Sequence, residues 1–341
     1  MNKTSASNRR SAPQNGTSKT HSKKFHPRNA HNKGYDFALL LKSTPSLQPF
    51  LITKTDGALS LDFANPQAVT TLNAALLKSY YAIEYWTLPE GALCPPIPGR
   101  VDYIHHIADL LNAAPFAKAR EKHDSSTKRQ TDKTKHVYKL LDIGTGASGI
   151  YALLAAQQYG WECVGSDINP VSLANVSKIL KQNSVLASRF SVREQTDKGS
   201  IFKGIIRETE HFDVSVCNPP FHDSPSAAQE AAQRKVSNLR KNRSNGKSQP
   251  YPKLNFGGQD AELWCNGGER LFLKRMIKES KEFAAQCGWF TSLVSKSDNL
   301  KPAIKQLNKL NAKEVRTIEM HQGNKKTRVL AWTFQEIITE N

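Results

Sequence analysis

An apolar run, Phe212–Cys217, ends in Asn218-Pro219-Pro220-Phe221. These residue types suit one kind of chemistry. An exocyclic amine on a nucleobase is a poor nucleophile because its lone pair is delocalised into the ring. The side-chain oxygen of Asn218 and the backbone carbonyl of Pro219 can accept the two amine hydrogens, which frees the lone pair. Two prolines fix the backbone that aims the carbonyl, and the Phe221 ring can stack on the base. Some seventy residues upstream, Gly144-Thr145-Gly146-Ala-Ser-Gly149 follows a second apolar run. Its small residues permit a sharp turn and let a ligand approach a helix N-terminus. By itself this G-x-G-x-x-G spacing equally permits a dinucleotide site. Asp167 lies eighteen residues past Gly149 at the end of the next strand, where an acid would chelate the hydroxyls of a ribose. Asp142 precedes the loop and is expected to face a cationic group. Together the two motifs imply a methyl donor, S-adenosylmethionine (SAM), held by Asp142, Gly144, Thr145, Gly146 and Asp167. Asn218 to Phe221 would then form the catalytic platform for a planar amine. The donor is already an activated sulfonium, so catalysis reduces largely to orientation, which can be worth roughly 7–11 kcal/mol.

The surrounding pattern says how these residues are carried. Strand-like runs at 137–143, 161–166, 190–195, 212–217 and 289–295 are interleaved with helical patterns at 147–159, 170–182, 268–287 and 300–310. Such alternation implies a parallel sheet covered on both faces. Two further runs, 315–320 and 328–334, are joined only by a short turn at Gly323-Asn324, so the last strand is expected to pair antiparallel. The fold class is therefore α/β, a Rossmann-like SAM-dependent methyltransferase sheet ending in a β-hairpin. Upstream, Asn65-Pro66 marks the start of a helix running to about Tyr81. Apolar positions 101, 104, 107, 108 and 111 repeat at helical spacing.

The chain has 341 residues and a formal charge of +18, unevenly spread. Residues 1–34 hold eight Lys/Arg and no acid, 118–136 hold seven against three acids, and 231–253 hold seven against none; the rest has 26 basic and 27 acidic residues. A near-neutral body with three basic, apolar-poor segments is read as a basic disordered arm (1–34), an α-rich N-terminal extension that binds RNA and covers the cofactor (35–117), a basic linker (118–136) and a methyltransferase domain (137–341) with a basic loop (231–253). Blocks of one charge sign are typical interaction tails, and polyanions are their usual partner. Candidate RNA contacts are Lys23, Lys24 and Arg28 in the arm and Arg234, Lys235, Arg240, Lys241 and Arg243 in the loop. Five scattered cysteines without C-x-x-C spacing suit a reducing compartment. No metal is expected, no apolar run reaches membrane-spanning length, and a cytoplasmic monomer is the expected state.

Leu141–Tyr151, Ser166-Asp167, Cys217–Phe221, Arg100–His105, His26-Pro-Arg-Asn29 and Tyr35-Asp-Phe37 together resemble the bacterial 23S rRNA adenine N6-methyltransferases of the RlmF type. These are relatives of the eukaryotic enzyme that methylates an adenosine in a spliceosomal small nuclear RNA. The resemblance covers nearly the whole chain. It implies transfer of a methyl group from SAM to N6 of a single adenosine in 23S rRNA, on naked rRNA or a pre-ribosomal particle. It also implies that Arg100, Gly144, Asp167 and Asn218 contact the cofactor, with Asn218 and Phe221 holding the adenine. His222-Asp223 follows the tetrapeptide here, as in enzymes that methylate guanine N2 in rRNA, so the tetrapeptide does not fix the base. Guanine N2 methylation, glutamine methylation of a protein, an idle RNA-binding module and a nicotinamide enzyme remain alternatives.

Overall fold

The N-terminal part is built from short capped elements. Asp36 caps helix α1 (Phe37–Ser43) by accepting from Leu39 N, and a two-stranded antiparallel ribbon follows, β1 (Leu51–Thr53) and β2 (Leu59–Leu61). Asn65 then accepts from Gln67 N and Ala68 N to open α2 (Pro66–Tyr81), with Pro66 in its first turn. Helix α3 spans Ile97–Ala113. In this computed structural model residues 24–113, 136–220, 265–322 and 325–337 are described, with 223, 224, 226 and 230.

The second part alternates as the sequence pattern predicts: β3 (Lys139–Ile143), α4 (Ile150–Tyr159), β4 (Glu162–Asp167), α5 (Pro170–Gln182), α6 (Ser184–Ala187), β5 (Phe190–Glu194), β6 (Phe212–Cys217), α7 (Gly268–Ser280), β7 (Cys287–Val294), α8 (Leu300–Lys309), β8 (Glu314–Gln322) and β9 (Lys325–Thr333). The sheet order is β5-β4-β3-β6-β7-β9-β8. Strands β3 to β7 run parallel, and β9 lies antiparallel to both β7 and β8. A two-residue connection is too short for a parallel crossover, which forces the reversal. One expectation overshot: the helix predicted to reach Cys287 stops at Ser280. There Ser280 Oγ donates to Ile277 O and accepts from Trp332 Nε1 at 2.9 Å, and residues 281–286 continue as tight turns into β7.

Both sheet faces are buried, as parallel sheets require. Leu140, Val214, Trp289 and Ala331 point to one apolar cluster, and Leu141, Phe212, Phe290 and Trp332 to the other. The first cluster also contains Leu76 and Ile104 from the N-terminal helices, so the extension and the sheet share one core. Residues 24–34, expected to belong to a disordered arm, are folded. Asn29 and His31 are 3% and 4% exposed, and His31 Nε2 pairs with Tyr81 OH at 2.9 Å. These polar residues could not fold alone, but α2 and α3 supply the surface and partners.

Asn183 straps the extension to the sheet. Its Oδ1 accepts from Glu84 N and Tyr85 N, and its Nδ2 donates to Tyr85 O and Ile179 O. Asn183→Ala removes four hydrogen bonds to part-buried and buried backbone groups and is expected to cost roughly 2 kcal/mol, read as a lower urea midpoint at unchanged slope. A midpoint equal to the parent's would show that the strap carries no load.

Candidate cofactor and acceptor site

Strands β3 and β6 are parallel neighbours in the register Ile143↔Cys217. The strand order reverses between them, so their carboxyl ends open a crevice. The glycine loop leaves one side of it and Asn218 the other. Gly144, Gly146 and Gly149 all adopt left-handed backbone (φ 68°, 62° and 58°), which glycine adopts without steric cost. A Cβ on Gly144 would meet nothing within 4 Å, so the loop's first turn faces open space. The loop lies down on β4: Thr145 N donates to Ser166 O at 2.9 Å and Gly146 N to Asp167 Oδ2 at 2.9 Å. A side chain at Gly165 would come within 2.8 Å of Thr145 Oγ1, so the strand beneath must be glycine there.

A cavity of about 220 Å³ fills the crevice. Its walls come from the glycine loop, Asp167 and Ile168, from Asn218 and Pro220, from Arg100 on α3, and from Gln195, Lys198 and Arg275. Asp167 is 8% exposed and its Oδ1 accepts from Asn169 N. Burial pushes its carboxyl up from the usual range, opposed by the backbone N–H groups of Asn169, Gly146 and Ile168. Arg100 donates from Nη1 to Tyr151 OH and lies 5.3 Å over the Tyr151 ring. Burial pushes that phenol up to about 12, with the Arg100 charge acting against the rise. Around the crevice, Asn218 Oδ1, Arg100 Nε and Asp142 Oδ1 are buried with no partner among the described residues. A cationic, carboxylate-bearing nucleoside fits this set: a guanidinium for a carboxylate, Asp167 for paired hydroxyls, and open space at Gly144 for close approach.

The expected residues are partly regrouped. Arg100, Gly144, Thr145, Gly146, Asp167, Asn218 and Pro220 all line the cavity; Pro219 is buried and Asp142 is fully buried without being a lining residue. Asp142 Oδ2 instead accepts from Thr145 Oγ1 at 2.8 Å, bracing the loop from below. Arg28, a candidate RNA contact, is exposed and donates to Asp109 and His105 O; Lys24 is exposed as well. Phe221, His222, Lys23, Arg234, Lys235, Arg240, Lys241 and Arg243 lie outside the described residues. Gln195, Lys198, Tyr151 and Arg275 were not singled out from sequence. Gln195 could have been found, since it directly follows β5 at the same sheet edge; Arg275 gives no local signal.

Burial lifts the Asp142 carboxyl to about 7, with Thr145 and Arg100 opposing and Asp167 reinforcing the rise. Unfolded, the same group keeps its proton only below about pH 4. The folded chain therefore holds an extra proton between about pH 4 and 7, and stability falls as pH rises through that window. The Asp142→Asn variant, unable to titrate, is expected to gain stability relative to the parent between pH 5 and 7.5 in urea titrations. A constant difference across that range would place the carboxyl's titration elsewhere.

A sequence model of the RNA methyltransferase family matches residues 19–336. The chain is 54% identical over 322 residues to ribosomal RNA large subunit methyltransferase F of Saccharophagus degradans, covering 94% of this chain and 98% of that one. The same-named protein of Shewanella denitrificans is 53% identical over 338 residues, 97% and 90% of the two chains. Among solved structures, the human METTL16 catalytic domain in complex with a MAT2A 3′UTR hairpin aligns with a TM-score of 0.73 at 26% identity, covering 93% of this chain and 98% of that one. The N-terminal domain of human METTL16 in complex with SAH gives 0.69 at 26%, covering 92% and 100%. The sheet is that of the SAM-dependent methyltransferases. With its glycine loop, Asp167 and Asn218 set around one crevice, this chain belongs to the RNA methyltransferase family.

Proposed function

We propose that the chain transfers a methyl group from SAM to the N6 amino group of a single adenosine in 23S rRNA, acting as a monomer in the cytoplasm on naked rRNA or a pre-ribosomal particle. The observation that carries this reading is Asn218 Oδ1, without a partner among the described residues and set one strand away from the glycine loop. SAM supplies a methyl group on a sulfonium, which needs no further activation. Asp167 binds the ribose hydroxyls, Gly144 lets the ligand approach the backbone, and Arg100 pairs with the carboxylate. Asn218 Oδ1 and the Pro219 carbonyl accept the two hydrogens of the adenine amine, and Phe221 stacks on the base. Asp142 acts through Thr145, holding the loop in place. The large-subunit rRNA named for the curated relatives, and the RNA hairpin bound by METTL16, support RNA as substrate.

The test is methyl transfer from labelled SAM to rRNA from a strain lacking this protein, followed by nucleoside analysis. N6-methyladenosine at one site is expected; N2-methylguanosine would replace this reading with its runner-up. Asn218→Ala should keep SAM affinity within about tenfold and lower turnover about a hundredfold or more, since its interaction strengthens in the transition state. Asp167→Ala should weaken SAM binding itself. Turnover near the parent's in the first variant would remove Asn218 as the amine acceptor.

The basic segments are assigned to phosphate contacts that carry affinity rather than sequence information. Deleting residues 1–23 removes five positive charges without touching the folded segment, and neutralising Arg234, Lys235, Arg240, Lys241 and Arg243 removes five more. Each change should weaken RNA binding and flatten the slope of log affinity against log salt by about 0.7 for every phosphate no longer neutralised, with SAM affinity intact. Slopes equal to the parent's would assign RNA recognition to the folded body.

A further inference from the structure

Helix α3 carries Arg100 into the cavity, and its orientation is fixed from two other sides. On one, Tyr103 OH pairs with Thr291 Oγ1 at 2.6 Å, and Thr291 Oγ1 donates to Ser215 O on β6. On the other lies the segment 26–31. Asn29 Nδ2 donates to Pro98 O at 2.9 Å, in the first turn of α3, and to Asp102 Oδ1 at 3.0 Å. The same Asp102 oxygen accepts from His26 N at 2.7 Å, while Asn29 Oδ1 accepts from His31 N. Asn29 and Asp102 are 3% and 1% exposed. At 3.6 residues per turn, positions 100 and 102 lie on nearly opposite faces of a helix. Rolling α3 about its axis would therefore break the Asn29–Asp102 pair on one face and displace Arg100 on the other.

We propose that residues 26–31 form a positioning clasp for α3, with Asn29 and Asp102 as its central pair, and that this clasp sets Arg100 at the cofactor; the proposal rests on the reading of Arg100 as a cofactor contact. A buried carboxylate is tolerated only where its hydrogen bonds are made, so the pair has one satisfied arrangement and α3 one favoured roll. Misplacement of a binding group by about 1 Å can cost as much as a hundredfold. Asn29 touches neither ligand; it acts through Arg100.

The test is a double-mutant cycle in the full-length chain, with SAM affinity read by titration calorimetry. Asn29→Ala should weaken SAM about tenfold in the parent and change nothing further in the Arg100→Ala background. Its KM for SAM should rise, with kcat at saturating SAM within about threefold of the parent. If Asn29→Ala fails to fold, Asn29→Ser, which removes the two amide donors, is taken through the same cycle. Equal losses in both backgrounds would make Asn29 a purely structural residue and overturn the proposal, as would unchanged affinity in the Asn29 variants. Parent-like affinity in Arg100→Ala alone would overturn the reading of Arg100 and the clasp with it.

Discussion

Everything at the site depends on one register, Ile143 opposite Cys217 in neighbouring parallel strands. Because β3 and β6 end together, the glycine loop and Asn218 begin side by side, although seventy residues separate them in sequence. A slip of one residue would turn every side chain of β6 to the other face. Both faces of β6 are buried, so the slip has no surviving alternative, and the position of Asn218 follows from core packing rather than from local contacts. The antiparallel end of the sheet serves the same purpose. Strand β9 covers β7, and Trp332 stacks on Phe290 at 5.9 Å, so β6 is kept away from any sheet edge.

Burial also decides the electrostatics. Asp142, Asp167 and Arg100 meet in a region where hydration is reduced, and the two carboxyls are displaced upward chiefly for that reason. Two acids and one guanidinium do not balance. Arg100 Nε remains without a partner among the described residues, a costly state for a chain alone and a favourable one for a ligand bearing a carboxylate. The site's preference for such a ligand is built into its unmet hydrogen bonds.

The legible parts were those specified locally. Helix α5 spans Pro170–Gln182, the bounds expected from its helical pattern, with Asn169 capping its start, and the two-residue joint announced the hairpin. What could not be read depended on distant partners. Ser280 ends α7 with a bond to Trp332, fifty-two residues away. Asn29 and His31 look like tail residues until α2 and α3 bury them. Asp142 was placed against the ligand because it flanks the loop, yet Thr145 folds back onto it. Arg275 reaches the cavity only because α7 crosses beside the loop at Lys198 and Gly199, whose carbonyls it binds.

The described residues that flank the charged segments lie at different edges of the sheet. The chain departs at Ala113 and returns at His136, which pairs with Asp213 near the start of β6; Tyr138, just before β3, reaches Asn112 at the end of α3. Lys24 joins the body two residues before His26, which binds Asp109 on the last turns of the same helix. Lys24, Ala113 and His136 therefore lie at the amino edge of the strands, whereas Pro220, the last described residue before the basic loop, lies at the carboxyl edge beside Asn218. A six-residue strand is roughly 20 Å long, so the two sets of flanking residues lie about that far apart. Under the RNA reading proposed above, a phosphate chain meeting segments on both sides would span that distance along the body. One nucleotide at the cavity would then be reacted upon, and affinity would come from phosphates well outside it.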